Sequence, residues 1–337
     1  MKILLISSSI FPLPPQGYSG LEMLVYWLAC GFQKAGHQVA VVAPEQSRLP
    51  EGIELIPIGL REQEEAYFQK YRERLGEFDI IFDHTFQSWC YTESARREPD
   101  LPIVKTFHTD PSIWGSPPPV FHPNLVGISD SHTRRLAMHL GVVVERVYNG
   151  LDTEFYTPAN GRRNDKWLWL ARYTPEKGCL EAAQLAKRLR VKLDMYGDAD
   201  IVSSQEYVDR CRREADGLMV RWNPGVTREE TVALYRQYRG LLYMPNWEGP
   251  FEMVMVEAQL CGLPVVTLDR GPMREVVSSD GGFVCRDAAE VEEVIRSGKI
   301  DTLDPVKVRQ GALKFSKEAM TEGYLKLFER VVARDTW

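Results

Sequence analysis

The chain alternates short, wholly apolar runs with longer amphipathic segments, which is typical of strands buried in a parallel sheet and of the helices that cover them. The clearest example is the stretch from Leu241 to Leu268, LLYMPNWEGPFEMVMVEAQLCGLPVVTL. Its first apolar run ends at Pro245, its middle part from Glu252 to Leu260 has helical spacing, and Pro264 opens the second apolar run. This stretch therefore predicts a strand, a loop, a helix and a further strand.

The same alternation runs through the whole chain in two series. In the first series we predict strands at 2–7, 37–43, 53–58, 78–82, 102–107, 125–128 and 142–147, and helices at 21–34, 61–76 and 131–140. In the second we predict strands at 167–171, 191–196, 218–222, 241–244 and 265–268, and helices at 176–190, 203–215, 228–238, 252–260, 306–315 and 317–332. A polar segment at 160–165 separates them. We predict an α/β protein with two doubly wound parallel-sheet domains, over 1–158 and 159–316, and a final helix over 317–337 that packs back toward the N-terminal domain.

Ligands of open parallel sheets bind beyond the carboxyl ends of the strands, so the loops that follow strands hold the first candidate site residues. The first strand is followed by Gly-Tyr-Ser-Gly, whose Ser19 and Gly20 precede a helix start that offers N–H groups to a phosphate or a sugar. A complete G-x-G-x-x-G is missing, which disfavours a nicotinamide site. His84 and His108 follow later strands, and the loop after His108 carries Trp114, as an acceptor-binding wall or as a stiff connector.

The second series carries charged candidates in the equivalent loops. Arg172 and Lys177 flank Tyr-Thr-Pro-Glu directly after the first strand of this series. A guanidinium and an ammonium group beside a helix start suit a diphosphate, and the alternative is a solvated basic turn. The loop before the helix at 252–260 adds the acidic candidates Glu248, Glu252 and Glu257.

Charge and composition exclude several classes of protein. The net charge of −6 argues against a nucleic-acid-binding surface. No apolar run approaches the roughly 20 residues of a membrane-spanning helix, and MKILLIS resembles a buried strand more than a signal peptide. We therefore expect a cytoplasmic protein, for which a peripheral membrane contact stays possible. The six cysteines and six histidines show no metal-ligand spacing, so we expect free buried thiols.

Motifs in a fixed order give the sequence its strongest resemblance. They are PPQGYSG, FDIIFDHT, VKTFHTD, VGISDSH, VYNGLDTEFYTP, LARYTPEKG, GVTREETVALYR, WEGPFEMVMVEAQLCGLPVV and FSKEAMTEGYLKLFERV. Over nearly the whole chain they resemble the retaining nucleotide-sugar glycosyltransferases of family 4. The resemblance implies the GT-B fold, in which two Rossmann-like domains face a cleft and C-terminal helices end the chain. The PPxGYxG start is similar to a subgroup that includes sugar-antibiotic glycosyltransferases.

The resemblance also implies roles for individual residues. Arg172 and Lys177 would hold the donor diphosphate during catalysis, and His108 would contact the donor sugar. Glu257 is the second glutamate of the E-x7-E signature and would bind the ribose hydroxyl groups. The other implied donor-binding residues are Ser19, Gly20, Val226, Thr227, Glu248, Gly249, Phe251, Glu252 and Met253. We add Tyr18, Trp114 and His84 as candidates for acceptor binding.

The sequence departs from the family pattern at the signature itself. The related form is WEEPFG, whereas this chain has WEGPFE, so Gly249 stands where the first glutamate is expected. Glu248 lies one residue earlier and Glu252 replaces a glycine, and either carboxylate could reach the sugar hydroxyl groups. If that glycine has a positive φ in the family, Glu252 would strain the loop.

A D-x-D sequence at Asp198 and Asp200 is similar to the metal-binding signature of the other major glycosyltransferase fold. The matching segment of family 4 is an ordinary loop. We therefore expect no catalytic metal and no cofactor, because Arg172 and Lys177 would neutralise the leaving diphosphate.

The sequence thus predicts a metal-independent retaining transferase that moves a hexosyl group from a UDP- or GDP-sugar to an acceptor such as a sugar or small glycoside. The acceptor would bind mainly to the N-terminal domain. One alternative is a nucleotide-sugar epimerase or hydrolase of the same fold. Another is a catalytically degraded sugar-binding or activator subunit, which Gly249 suggests.

Overall fold

The computed structural model describes residues 1–17, 19–97, 100–111, 123–158, 161–198 and 204–337, with only the backbone described at 95–97. The chain forms two compact units. One consists of Met1–Gly150 together with Phe315–Trp337, and the other of Leu151–Lys314. The division thus falls at Gly150, not at 158, and the chain returns to the first unit at Phe315, just before the final helix.

The strands of the first unit are the apolar runs of the sequence, and most of their residues are buried. They are β1 (Lys2–Ile6), β2 (Gln38–Pro44), β3 (Ile53–Ile58), β4 (Ile80–Asp83), β5 (Ile103–Thr106), β6 (Leu125–Gly127) and β7 (Glu145–Arg146). Among the described residues these seven form one parallel sheet in the order β3-β2-β1-β4-β5-β6-β7. Leu4 of β1 pairs with Ala40 of β2 on one side and Ile81 of β4 on the other.

The helices of this unit follow the predicted amphipathic segments except at 61–76 and at 89–97, where none was predicted. The helices are α1 (Gly20–Lys34), α2 (Glu64–Phe68), α3 (Trp89–Arg97) and α4 (Asp130–Leu140). The helix predicted over 61–76 is wrong, because α2 is short and a separate 3-10 turn covers Arg72–Glu77. Between them Tyr71 leaves the helical region at φ −129° while its ring is buried in the core. Burial of this aromatic side chain therefore overrides helical propensity.

The second unit repeats the plan. Its strands are β8 (Trp167–Leu170), β9 (Leu193–Tyr196), β10 (Val220–Asn223), β11 (Gly240–Tyr243), β12 (Val265–Leu268) and β13 (Gly282–Cys285). Its helices are α5 (Cys179–Leu189), α6 (Gln205–Glu214), α7 (Arg228–Gln237), α8 (Met253–Leu260), α9 (Met273–Val276), α10 (Ala288–Ser297) and α11 (Pro305–Ala312). In the described part of this unit, six parallel strands follow the order β10-β9-β8-β11-β12-β13. Sequence analysis missed α3, α9, β13 and α10, although Asp287 caps α10 by accepting the N–H of Glu290.

The final helix, α12 (Lys317–Val332), belongs to the first unit. Its Phe328 ring lies 5.3 Å from Phe32 of α1 and 5.0 Å from Phe82 of β4. Tyr324 of the same helix shares a 3.1 Å hydrogen bond with Thr106 at the end of β5. The last segment of the chain therefore completes the core of the first sheet.

Both sheets reverse their strand order at one point. In the first sheet the reversal lies between β1 and β4, and in the second it lies between β8 and β11. The carboxyl ends of such strand pairs splay their loops apart and leave a crevice that open α/β sheets use for ligands. The loops after β1, β4, β8 and β11 are therefore where each unit is expected to bind.

Candidate functional site

Two loops of the second unit are tied together beside β8 and β11. Gly178 starts α5 with φ +68°, and a Cβ atom there would lie 1.5 Å from the carbonyl oxygen of Met244. Only glycine permits this approach. The N–H of Asn246 donates to the carbonyl oxygen of Glu176 at 3.0 Å, and its side-chain amide donates to that of Pro175 at 3.1 Å. The two loops thus bring Lys177 to the end of β11.

Lys177 forms an ion pair with Glu252 in this position. Its Nζ donates to both carboxylate oxygens, at 2.8 and 2.9 Å, and the two side chains are 11% and 7% exposed. The hydroxyl of Tyr243 donates to Oε2 of Glu252 at 3.0 Å. Burial and the Glu252 charge raise the pKa of Tyr243 well above its usual value, which keeps it a donor. The Lys177 charge is therefore already neutralised inside the protein.

Arg172 is the second predicted cation, and its surroundings differ. It follows β8 directly and is partly buried. Among the described residues no hydrogen bond or ion pair engages its guanidinium group. At the carboxyl ends of β8 and β11 the protein therefore presents one uncompensated and one compensated cation.

The structure separates Glu248 from Glu252, which the sequence left as competitors. The carboxylate of Glu248 accepts the backbone N–H of Gly271 in the loop after β12. Gly271 has φ +53°, and a Cβ there would lie 2.6 Å from the carbonyl oxygen of Gly249. Glu248 thus fastens two loops to each other, whereas Glu252 holds Lys177.

The expected strain at Glu252 is absent. Its φ is −101°, an ordinary extended value, so this prediction from the missing glycine is wrong. At position 249, a Cβ would lie 2.5 Å from Oε1 of Glu252. The carboxylate of residue 252 therefore fills the space that a side chain at 249 would enter.

Glu257 lies on α8 and is 1% exposed. One of its carboxylate oxygens accepts the hydroxyl of Tyr156 at 3.1 Å and the other accepts that of Tyr235 at 2.9 Å. The Nε of Arg228 donates to the Tyr156 hydroxyl at 3.1 Å. Sequence analysis missed these tyrosines, because their distance along the chain from Glu257 gave no signal.

The remaining donor-binding candidates of the second unit lie at helix starts. Thr227 caps α7, since its hydroxyl accepts the N–H of Glu230 at 3.2 Å and the Glu230 carboxylate accepts the N–H of Thr227 at 2.7 Å. Val226 precedes this cap after β10. Phe251 is buried, and Met253 is the first residue of α8. Phe251 and Met253 thus flank Glu252, the partner of Lys177, while Val226 and Thr227 follow a different strand.

In the first unit, the start of α1 already holds a carboxylate. Gly20 is the first residue of α1, Ser19 is its N-cap, and Glu22 lies in its first turn. The hydroxyls of Ser8 and Ser19 both donate to the buried Glu22 carboxylate. Sequence analysis missed Glu22, although Ser-x-x-Glu before an apolar run is a helix-start signal. Tyr18 lies outside the described residues.

His84 and His108 meet beyond β4 and β5. Nδ1 of His84 lies 2.8 Å from Nε2 of His108, and the two rings stack with centroids 5.1 Å apart. Since both pKa values are lowered, one neutral ring donates its proton to the other. Burial and the charge of Lys105 lower the pKa of His108 to about 3. Burial, followed by His108 and Lys105, lowers the pKa of His84 well below its usual value.

A buried ion pair lies at the same strand ends. Nζ of Lys105 lies 3.2 Å from a carboxylate oxygen of Asp83, and both side chains are 0% exposed. The same carboxylate oxygen accepts the N–H and the hydroxyl of Thr85, each at 2.7 Å. These charges are satisfied by each other and stay away from solvent.

His132 on α4 is a further residue that sequence analysis missed. The N–H of Ile128 donates to its Nδ1 at 3.3 Å, so the ring proton is on Nε2, which donates to the carbonyl oxygen of Thr109 at 3.0 Å. His132 therefore fixes the backbone next to His108. Burial lowers the pKa of His132 to about 4. Trp114, in the loop that follows His108, lies outside the described residues.

The chain matches two known protein-family models. The one described as "Glycosyltransferase Family 4" matches residues 18–155, and the one described as "Glycosyl transferases group 1" matches residues 164–297. The two matches cover most of both units.

The chain belongs to glycosyltransferase family 4.

Curated relatives of this glycosyltransferase act on different acceptors, as their names state. The phosphatidyl-myo-inositol mannosyltransferase of Mycolicibacterium smegmatis is 26% identical over 310 residues, which cover 82% of this chain and 78% of the relative. The D-inositol 3-phosphate glycosyltransferase 1 of Catenulispora acidiphila is 25% identical over 304 residues, covering 77% and 72%.

Solved structures confirm the predicted GT-B fold of the glycosyltransferase, with its two parallel-sheet units. AviGT4, a glycosyltransferase involved in avilamycin A biosynthesis, matches with a TM-score of 0.77 at 23% identity, covering 100% of this chain and 99% of AviGT4. HepE of Anabaena, in complex with UDP, matches with a TM-score of 0.76 at 18% identity, covering 98% and 100%.

The described residues show neither a metal-binding cluster nor a membrane-spanning helix. Within the described ranges, no group of three or more His, Cys, Asp or Glu side chains is placed to hold a metal ion. Asp200 of the D-x-D sequence lies outside these ranges. No helix in the described part of the chain is long and apolar enough to cross a membrane.

Proposed function

We propose that this glycosyltransferase transfers a hexosyl group, with retention of the anomeric configuration, from a UDP- or GDP-sugar to a sugar or small glycoside. The observation that carries the proposal is the pair of cations, Arg172 and Lys177, at the reversal point of the second sheet. A guanidinium and an ammonium group there suit a diphosphate. The UDP bound by HepE supports a nucleotide-linked donor, and the names of the relatives, a mannosyltransferase and a glycosyltransferase, support sugar transfer.

In the proposed reaction an oxygen of the acceptor hydroxyl forms a bond to the anomeric carbon of the donor. The bond between that carbon and the diphosphate oxygen breaks on the same face, and the departing phosphate takes the acceptor proton. Negative charge develops on the diphosphate, so Arg172 and Lys177 stabilise the transition state more than the ground state. No ionisable side chain is needed as a nucleophile.

The other residues are assigned to binding. Glu257 would accept ribose hydroxyl groups beside the hydroxyl groups of Tyr156 and Tyr235. The amides of Phe251, Glu252 and Met253 would meet the donor at the start of α8. The first unit would bind the acceptor, for which His84 is a candidate contact. The neutral ring of His108 would contact the donor sugar.

The proposal includes the cellular setting and the absence of a metal requirement. All six cysteines, each of which lies in the described part of the chain, are free thiols. Free thiols suit the reducing cytoplasm, where we place the reaction. Arg172 and Lys177 would supply the positive charge that a divalent metal ion supplies in metal-dependent enzymes.

The test is a donor panel of UDP-, GDP-, ADP- and dTDP-sugars with isotope-labelled hexose, assayed with sugar and glycoside acceptors. We expect transfer from a UDP- or GDP-sugar, the donor's anomeric configuration in the product by NMR, and unchanged rates with excess EDTA. Labelled free hexose or an epimer without transfer would favour the hydrolase or epimerase alternative. Donor binding without release of nucleotide would favour a degraded binding subunit, the reading that Gly249 supports.

A further inference from the structure

We propose that Glu252 makes the donor site discriminate a nucleotide sugar from a free nucleoside diphosphate. This inference rests on the proposed function and names the residue that sets its selectivity. Glu252 is a fixed negative charge bonded to the cation that the diphosphate would use, with distances of 2.8 and 2.9 Å to Nζ of Lys177. An anion that binds Lys177 must therefore approach a carboxylate of the same sign.

The position of the carboxylate depends on glycine at 249. A Cβ at 249 would come within 2.5 Å of Oε1 of Glu252 and within 3.2 Å of Nε1 of Trp247. Real Cβ atoms do not approach an oxygen so closely, so a side chain at 249 would push Glu252 away from Lys177. A side chain at 249 and the carboxylate of Glu252 would therefore compete for the same space.

The hydrogen bonds of Glu252 leave capacity for a sugar. Its Oε2 accepts from both Lys177 and Tyr243, at 2.9 and 3.0 Å, whereas among the described residues Oε1 accepts only from Lys177, at 2.8 Å. Oε1 is also the oxygen that faces the space above Gly249. A carboxylate oxygen with a remaining lone pair accepts a hydroxyl but repels a phosphate.

Two kinds of ligand should therefore respond in opposite ways to this carboxylate. A free nucleoside diphosphate brings negative charge to Lys177 and offers no sugar hydroxyl to Oε1 in return. A nucleotide sugar brings the same charge together with hydroxyl donors. Glu252 therefore weakens binding of the free nucleoside diphosphate by charge repulsion. For the nucleotide sugar, the hydrogen bond from a sugar hydroxyl to Oε1 offsets that repulsion. This difference favours release of the product nucleotide.

Calorimetry on wild type and Glu252→Gln measures the Kd of three ligands. They are the donor UDP- or GDP-sugar, the matching free nucleoside diphosphate (UDP or GDP) and inorganic pyrophosphate. We expect Glu252→Gln to bind pyrophosphate and the nucleoside diphosphate about tenfold more tightly, because like charges no longer meet. The nucleotide sugar should gain nothing or bind more weakly. The ratio of the two nucleotide affinities therefore shifts by about tenfold or more.

Glu292→Gln is the charge-matched control, because Glu292 pairs with Arg188 and Arg296 on the surface of the same unit, at 3.0 and 2.8 Å. It should leave all three affinities as in wild type. An unchanged affinity ratio in Glu252→Gln, or the same shift in Glu292→Gln, overturns the inference. Wild type that transfers no sugar refutes the proposed function instead, and the pyrophosphate measurement still tests the competition at Lys177.

A second set of variants tests the coupling between the two positions. Gly249→Ala alone should lose discrimination, because its Cβ displaces Glu252 without adding a carboxylate. The exchange variant, Gly249→Glu with Glu252→Gly, returns one carboxylate to the site and should come back to within about threefold of the wild-type ratio if the two positions are coupled. An exchange variant that discriminates no better than Glu252→Gly contradicts the coupling.

Discussion

The two units share a topology and differ in the chemistry at the carboxyl ends of their strands. Beyond β4 and β5, the first unit places two neutral imidazoles, and its charges at Asp83 and Lys105 are buried against each other. Beyond β8 and β11, the second unit places the partly buried Arg172 and the ion pair of Lys177 and Glu252, whose side chains are 11% and 7% exposed. The same sheet order thus provides a place for a ligand in each unit, and the side chains decide that a diphosphate suits the second.

Among the variants that test this comparison, Arg172→Ala is expected to have the largest effect, on catalysis and on UDP binding. This guanidinium is the cation that no described residue neutralises, so its loss should lower kcat/KM about 10²- to 10³-fold and weaken UDP binding. Steady-state kinetics and calorimetry measure the two quantities. Arg274→Ala removes an exposed guanidinium of the same unit that pairs with Asp269 at 2.7 Å, and it should change neither. Unaltered UDP affinity in Arg172→Ala would refute the assignment of the diphosphate to the second unit.

The next effect is on stability and belongs to the first unit. Lys105→Met leaves the Asp83 carboxylate buried without its ion-pair partner, which typically destabilises a protein by about 3–5 kcal/mol. Urea denaturation followed by circular dichroism measures the loss. Lys2→Met breaks a surface pair of the same unit, with Glu77 at 3.1 Å, and should change the free energy of unfolding little. Equal losses in the two variants would contradict the difference in burial.

A pH titration sharpens the contrast further, because the buried histidines are in the first unit. His108 and His132 have folded pKa values of about 3 and about 4, whereas an unfolded histidine titrates near about 6.5. Between these values the unfolded chain binds more protons, so stability rises with pH. The contribution is complete above about pH 6.5 and is lost as the pH falls toward about 4.

The measurement is the urea midpoint between pH 7 and pH 4. His132→Gln keeps a donor for Thr109 and an acceptor for Ile128 but cannot take up a proton, so its midpoint should fall less steeply than that of wild type. The same slope in both proteins would mean that His132 does not carry the pH dependence.

The smallest effect is expected at the cap of α7 in the second unit. Thr227→Ala removes the hydroxyl that accepts the N–H of Glu230 and should cost about 1 kcal/mol of stability. Thr227→Ser keeps that acceptor and should lie close to wild type. If Thr227→Ala weakens UDP binding as well, the loop after β10 takes part in the donor site beyond its role as a cap.

All strands except β13 followed from the sequence, because apolar runs are local patterns. Arg172, Lys177 and His108 were identified in the same way as candidates in the loops after strands, and their roles stay predictions. The partners that define their chemistry were not, since the pairing of Lys177 with Glu252 and of Glu257 with Tyr156 joins residues far apart in the chain. Glu248 and Glu252 could be told apart only once the loop after β12 and the position of Lys177 were known.

The most direct test of the account is a crystal structure of the protein with a UDP- or GDP-sugar bound. We predict diphosphate oxygens within hydrogen-bonding distance of Arg172 and Lys177 and a sugar hydroxyl on Oε1 of Glu252. A diphosphate bound at the histidine pair of the first unit, with Arg172 and Lys177 unaltered, would contradict the central claim that the second unit holds the donor.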